Sequence, residues 1–358
     1  MHGAGVEHRV VGTLHHRSII EILRDKVRSE TDGPHFHYQP YYMDWGSDET
    51  DGSSTSSRVY SELYTSDAFM EAHEELQRSP QVPGCTSERV IAGLMFWSDM
   101  IKLTEFGPTK LWPCYMFFGN ESKYRHVKTN LHLGEHVAYF DSLSDDFKDY
   151  LRKRAGGKLP PADLIMHCGR EMFHAQWAIL LDQDLIDAMT NGVVLLCHDG
   201  IERRFYPRIF TYSADYPEKV AISLIKQGGA YPCTRCLISK SNLHNMGLPE
   251  DEEFRKAHPR LNDRTNQIML SKALKDVKAG FSVTGDKVGH MARIGLCFPF
   301  SAFHSHLKEL DFDIFPALVV DLLHEFKIGV WKSTFKHLIQ LLLATKGGQA
   351  VVAKFDQR

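Results

Sequence analysis

The sequence predicts a mixed α/β fold, on three observations. Between Val90 and Phe140 three short apolar runs follow one another with turn residues between them, the pattern of an antiparallel meander. A fourth aromatic and β-branched run, Ile209 to Ser213, delivers Asp215 and leads into a helix that Pro217 opens at its first turn. Helical periodicity flanks these runs, over about Asp163 to Thr190 and again from Asp321.

Composition bounds what such a fold can be. The chain has 358 residues, enough for one large or two ordinary domains, and 43% of them are hydrophobic against 24% charged, as in a globular protein. No apolar run approaches the roughly 18 residues of a membrane span, and Met1 to His8 is not a signal peptide, so no membrane partner is expected and the nucleus or cytosol is the expected compartment. The seven cysteines are odd in number and mostly isolated, which speaks for reduced thiols. A net charge of −3 is awkward for a duplex-binding protein, since phosphate neutralisation rests on Lys and Arg. A basic surface is therefore local or lies outside this chain.

Residues 1–89 read as a partly helical N-terminal region. A helix is expected over His16–Ser29, where Ile19, Ile20, Ile22, Leu23 and Val27 share a helical repeat, followed by an aromatic, His-rich stretch from Pro34 to Tyr42. Asp44–Ser57 is an acidic Ser/Gly-rich linker too polar to bury a core, and Tyr60–Gln77 returns to helical periodicity. The core, residues 90–345, begins with strands Val90–Trp97, Thr109–Phe118 and His136–Phe140, ending in Ser98-Asp99, Gly119-Asn120 and Asp141-Ser142. After the long helix, stopped at Asn191-Gly192, the runs Val193–Cys197 and Glu202–Tyr206 flank His198-Asp199-Gly200-Ile201, a hairpin signal. Then come strand Ile209–Ser213, Asp215, a helix, and Cys233-Thr234-Arg235-Cys236. Residues of about 239–305 are polar and helical in patches, notably Arg264–Lys278, and read as a helical insertion before the last helix, Asp321–Leu343. Residues 346–358 form a tail.

Three antiparallel strands, a helix, an acid-bearing strand and a late acid-bearing helix are the element order of an RNase H-like fold. In it Asp99 leaves the first strand, Asp215 leaves the fourth, and the late helix offers Asp321 or Glu325, an i, i+4 pair on one face. Carboxylates so gathered suit two divalent cations about 3.5 to 4 Å apart, one activating the attacking oxygen and one stabilising the leaving oxygen. Mg2+ matches such oxygen donors. Against this stands the ordinary role of Asp at strand ends and of Asp321 as a helix cap. Cys233 and Cys236 have zinc-ligand spacing, but a structural site needs four ligands. His324 is the first candidate for completing it, with His337, His304 or His306 for the fourth place. His324 and His337 lie about 220° apart around a continuous helix and serve together only if it breaks, as at Gly329. Basic residues from Lys219 to Lys275 suit a phosphate backbone or a solvated surface equally.

Four long motifs narrow these alternatives: Ser98-Asp99 with Glu105 to Tyr124; Asp199 to Lys219; Pro232 to Cys236; and Val320 to Trp331. Together they closely resemble the Plavaka transposases of fungal DNA transposons, relatives of the CACTA group, from about Val90 to Leu343. The resemblance implies a DDE/D transposase core that cuts and joins DNA with Mg2+ or Mn2+ in the nucleus, with transposon ends and target DNA as partners and homo-oligomerisation left open. It maps Asp99 and Asp215 onto the first two acids and Glu325 onto the third, with Asp321 the alternative. It also maps Cys233, Cys236 and His324 onto a structural Zn2+ clip. Such proteins are longer, so a truncated catalytic-core fragment is expected, either active or a non-catalytic, zinc-stabilised DNA-binding or interaction protein derived from a transposase.

Overall fold

The computed structural model describes residues 10–46, 56–102, 110–261 and 301–357, with short pieces between 268 and 280. Its axis is strand β1 (Glu88–Ser98), whose alternate residues Val90, Ala92, Leu94 and Phe96 are all buried. Strand β2 (Lys110–Phe118) pairs antiparallel with β1, and β3 (Glu135–Phe140) antiparallel with β2, as the spacing of the three apolar runs predicts. On the other side of β1 lies β4 (Glu202–Ser213), parallel to it, and then the two-residue β5 (Leu318–Val319), parallel to β4. The sheet order is thus β3-β2-β1-β4-β5, with His15–His16 added beyond β3 and Val193–Leu196 paired antiparallel to the start of β4.

Helices cover both faces. Helix α1 (Ile19–Arg28), capped by Ser18, shares one continuous apolar cluster with the inner face of the sheet through Ile19, Ile22, Leu23 and Val27. Trp177 of α3 (Ala162–Leu180) meets Phe303 of helix Ala302–Leu307 at a tilt at the centre of that cluster and packs edge-on against Phe96 and Tyr212. On the opposite face α2 (Asp67–Arg78) places Phe69 and Leu76 over Ile91 and Tyr206.

Two local expectations come out differently. The runs Glu202–Tyr206 and Ile209–Ser213 form one strand through Pro207. Proline lacks the N–H of a ladder donor. Here the hairpin strand pairs only as far as Phe205 and β5 only Tyr212 and Ser213, so among the described residues the outer edge at Pro207 is unpaired and nothing is lost. The long helix expected over Asp163–Thr190 divides into α3 and α4 (Gln183–Asn191), because Asp182 accepts the Leu185 N–H at 2.8 Å and starts a new helix. Helix α5 (Tyr216–Ile222) follows β4, and Pro249–Ala257 is helical within the polar segment. Most of the expected Arg264–Lys278 helix, Cys297 and residues 47–55 of the linker lie outside the described residues. The linker's ends, Asp44–Trp45 and Ser57–Arg58, pair antiparallel, and Gly348–Asp356 in the tail is helical.

Candidate active site

Trp97 pairs with Ser213, and Ser213 pairs with Val319, so three adjacent parallel strands end level with one another. Two residues beyond that row stand Asp99, Asp215 and Asp321. Parallel strands leave a sheet at a common edge, so residues just past their ends are delivered to one place.

Two of these acids are anchored by the helices they cap. Asp215 caps α5, its Oδ1 accepting the Glu218 N–H at 2.9 Å, and Pro217 fits the first turn because that turn needs no further N–H donor there. Asp321 caps the ten-residue π-helix Leu322–Trp331. Its Oδ1 accepts the Leu323 and His324 N–H groups at 2.9 and 3.3 Å, while Oδ2 meets Nδ1 of His324 at 2.5 Å. Burial opposes ionisation of Asp321, but these hydrogen bonds outweigh it and hold the carboxyl below its ordinary pKa.

The cluster is electrostatically connected. Burial raises the pKa of Asp99, the charges of Asp215 and Asp321 raise it further, and His324 works against them. The His324 pKa is raised in turn, first by its hydrogen bond to Asp321 and then, against some burial, by the charges of Asp321, Asp99 and Asp215. The charges of Asp99, Asp215, Asp321 and His324 therefore act on one another. Glu325 has a different partner, Nζ of Lys219 on α5, whose side chain is only 4% exposed. That ion pair ties α5 to the π-helix.

Directly behind the acids lies Glu218, in the first turn of α5, which the sequence does not single out because no local signal marks it. Its side chain is buried against the inner face of the sheet. Its Oε1 receives Ser98 Oγ and, at 3.3 Å, the Tyr212 hydroxyl, while Oε2 receives Trp112 Nε1–H at 2.9 Å. Burial pushes its carboxyl up to about 7, against the hydrogen bonds from Ser98 and Trp112.

Cys233 and Cys236 sit side by side in a loop fastened by Arg260, which donates to the backbone oxygens of Cys233 and Tyr231 at 3.1 and 3.2 Å. The Cys236 thiol and the Arg235 N–H hold Cys233 well below the usual thiol range. Arg255 Nη1 stands 3.7 Å from Cys236 Sγ. His324 is engaged by Asp321, and His337 is exposed on helix Lys332–Leu343.

Among the described residues no group of three or more His, Cys, Asp or Glu side chains is gathered closely enough to hold a metal. The carboxylate oxygens of Asp99, Asp215 and Asp321 at the sheet edge are nevertheless the donor type that a hard divalent cation takes. The cysteine pair by itself offers two of the four ligands of a structural zinc site.

Fold and site together define a mixed α/β protein with an acidic centre at one edge of its sheet. The family model for the Plavaka transposase matches residues 7–342, nearly the whole chain, and the protein belongs to that family. No curated protein matches it. Membership of a transposase family implies DNA as a partner. No helix among the described residues is long and apolar enough to cross a membrane.

Proposed function

We propose that this chain is a DDE/D transposase core that cleaves and joins DNA in the nucleus, with Asp99, Asp215 and Asp321 as its three acids. The observation that carries the reading is the level row Trp97, Ser213 and Val319, with an aspartate two residues past each member. Support for an RNase H-like sheet comes from the order β3-β2-β1-β4-β5, with the first three strands antiparallel and the last two parallel to β1.

Asp99, Asp215 and Asp321 would hold Mg2+ or Mn2+, which supplies charge neutralisation at the phosphate and activation of the attacking oxygen. Each protein group has a defined part. The helix cap fixes one oxygen of Asp215 and leaves Oδ2 for the site. His324 fixes the orientation of Asp321 through Oδ2, and Lys219 and Glu325 hold the π-helix against α5. Water attacks the phosphodiester at the transposon end, and the 3′-hydroxyl so freed attacks target DNA. Zinc at Cys233 and Cys236 is part of the proposal, with its remaining ligands outside the pair.

The test is nicking and strand transfer on transposon-end DNA with Mg2+ or Mn2+. Activity in the parent and its loss in Asp215→Asn are expected. Equal activity in the two proteins overturns the site.

A further inference from the structure

The buried carboxyl of Glu218 sits where strands β1, β2 and β4 meet, on the inner face of the sheet just beneath the row of acids. Three donors converge on it, one from each strand: Ser98 from β1, Trp112 from β2 and Tyr212 from β4. The Ser98 and Tyr212 oxygens are themselves 2.7 Å apart, so one of the two hydroxyls can donate to the other in place of Glu218. Ser98 is completely buried and immediately precedes Asp99. The Glu218 backbone N–H, in turn, is the group that fixes Asp215 Oδ1. One residue thus touches the support of the first acid through its side chain and the second acid through its backbone.

We infer that Glu218 is a positioning residue, an acceptor that locks the ends of β1 and β4 together and so sets the relation of Asp99 to Asp215. The inference deepens the proposed function and rests on its reading of Asp99 and Asp215 as metal-holding acids. Trp112 can only donate, so the group opposite it must accept, and an apolar side chain at 218 would leave the indole N–H unpaired. Apolar packing alone would hold the three strands together, and Ser98 would keep its contact with Tyr212, but the end of β1 would lose its polar tie to α5, the helix that Asp215 caps. The requirement is therefore geometric, and a carboxamide can meet it. Its oxygen accepts from Trp112 while its NH2 donates to the Ser98 or Tyr212 oxygen, each of which can also accept.

The test uses the full chain and Mn2+ alone, with affinity measured by calorimetry and folding by thermal melts of the same samples. Glu218→Ala, assayed below its melting transition, is expected to bind Mn2+ more weakly by about 10- to 100-fold, the range seen when residues that orient metal ligands are removed. Glu218→Gln is expected to restore affinity to near the parent's, whereas Glu218→Met, of similar volume but unable to accept well from the Trp112 N–H, is expected to bind Mn2+ as weakly as Glu218→Ala. Ser98→Ala, which removes a single buried hydroxyl, is expected to weaken binding with little effect on melting, and it carries the test where Glu218→Ala fails to fold. Parent-like Mn2+ affinity in a folded Glu218→Ala protein, or in Ser98→Ala, overturns the inference. Asp99→Asn and Asp215→Asn serve as separate controls: if neither alters Mn2+ binding, the metal-site reading itself fails, whatever Glu218 does.

Discussion

Asp321 and Glu325 are four residues apart, and exchanging each for its amide separates a site role from a structural one. Asp321→Asn keeps a side-chain oxygen for the Leu323 and His324 N–H groups, and Asn caps helices about as well as Asp, so stability should change by less than about 1 kcal/mol. It removes one of the three carboxylates proposed for the site. Loss of several kcal/mol of metal-assisted stabilisation at about 1.4 kcal/mol per tenfold corresponds to a fall of roughly a thousandfold in cleavage rate. Glu325→Gln acts on the pair with Lys219, whose side chain is 4% exposed while that of Glu325 is 31% exposed. Breaking a fully buried pair costs about 3–5 kcal/mol. The partial exposure of Glu325 and the acceptor kept by Gln reduce this to about 1–2 kcal/mol. Urea midpoints and single-turnover cleavage on transposon-end DNA measure both quantities. Glu325→Gln should be less stable yet cleave at close to the parental rate while folded, and Asp321→Asn the reverse. A folded, inactive Glu325→Gln beside an active Asp321→Asn would refute the assignment of Asp321 and place the third acid at Glu325.

A second expectation concerns pH. Glu121 is buried with no hydrogen-bond donor to either oxygen among the described residues, and Lys26 is 3.7 Å away. Burial, aided by Asp32 and Glu135 and opposed by Lys26 and Arg125, pushes its carboxyl up to about 7. The fold then binds this proton more tightly than the unfolded chain does, so its contribution is complete below about pH 4.5 and is lost as pH rises through about 7. Glu121→Gln should remove up to about 3 kcal/mol of the stability difference between pH 5 and pH 8, and an unchanged urea-midpoint profile would contradict this. For the cysteine pair, Cys233→Ser should lower both bound zinc, measured by atomic absorption, and the melting temperature, since metal binding and folding are coupled. Full zinc retention rejects the clip. In the core, Trp177→Ala should cost about 3–5 kcal/mol, because the indole is fully buried among Phe96, Tyr212 and Phe303, and calorimetric melting reads that loss.

Several features of this protein are written locally in its sequence. Alternating and apolar runs near 90, 110 and 136 specify strands by their own periodicity, and each stops at a turn residue. Asp99 and Asp215 could be singled out because each directly follows such a run, and Ser18 caps the first helix where the apolar repeat begins. The long motifs carried the resemblance to Plavaka transposases, and the match over residues 7–342 bears it out. Tertiary structure decided the rest, because the deciding contacts join residues about a hundred positions apart. The strand β5, two residues long with no periodicity of its own, pairs with β4 and puts Asp321 level with Asp215. The partner of Glu325 is Lys219, 106 residues earlier. Nothing local marks Glu218, whose carboxyl gathers Ser98, Trp112 and Tyr212 from three strands only in the folded sheet. Sequence by itself determined which strands end in acids, since that depends on neighbours along the chain. Only the folded sheet brings Asp99, Asp215 and Asp321 to one edge, since strand register is set by pairing between segments far apart in the chain.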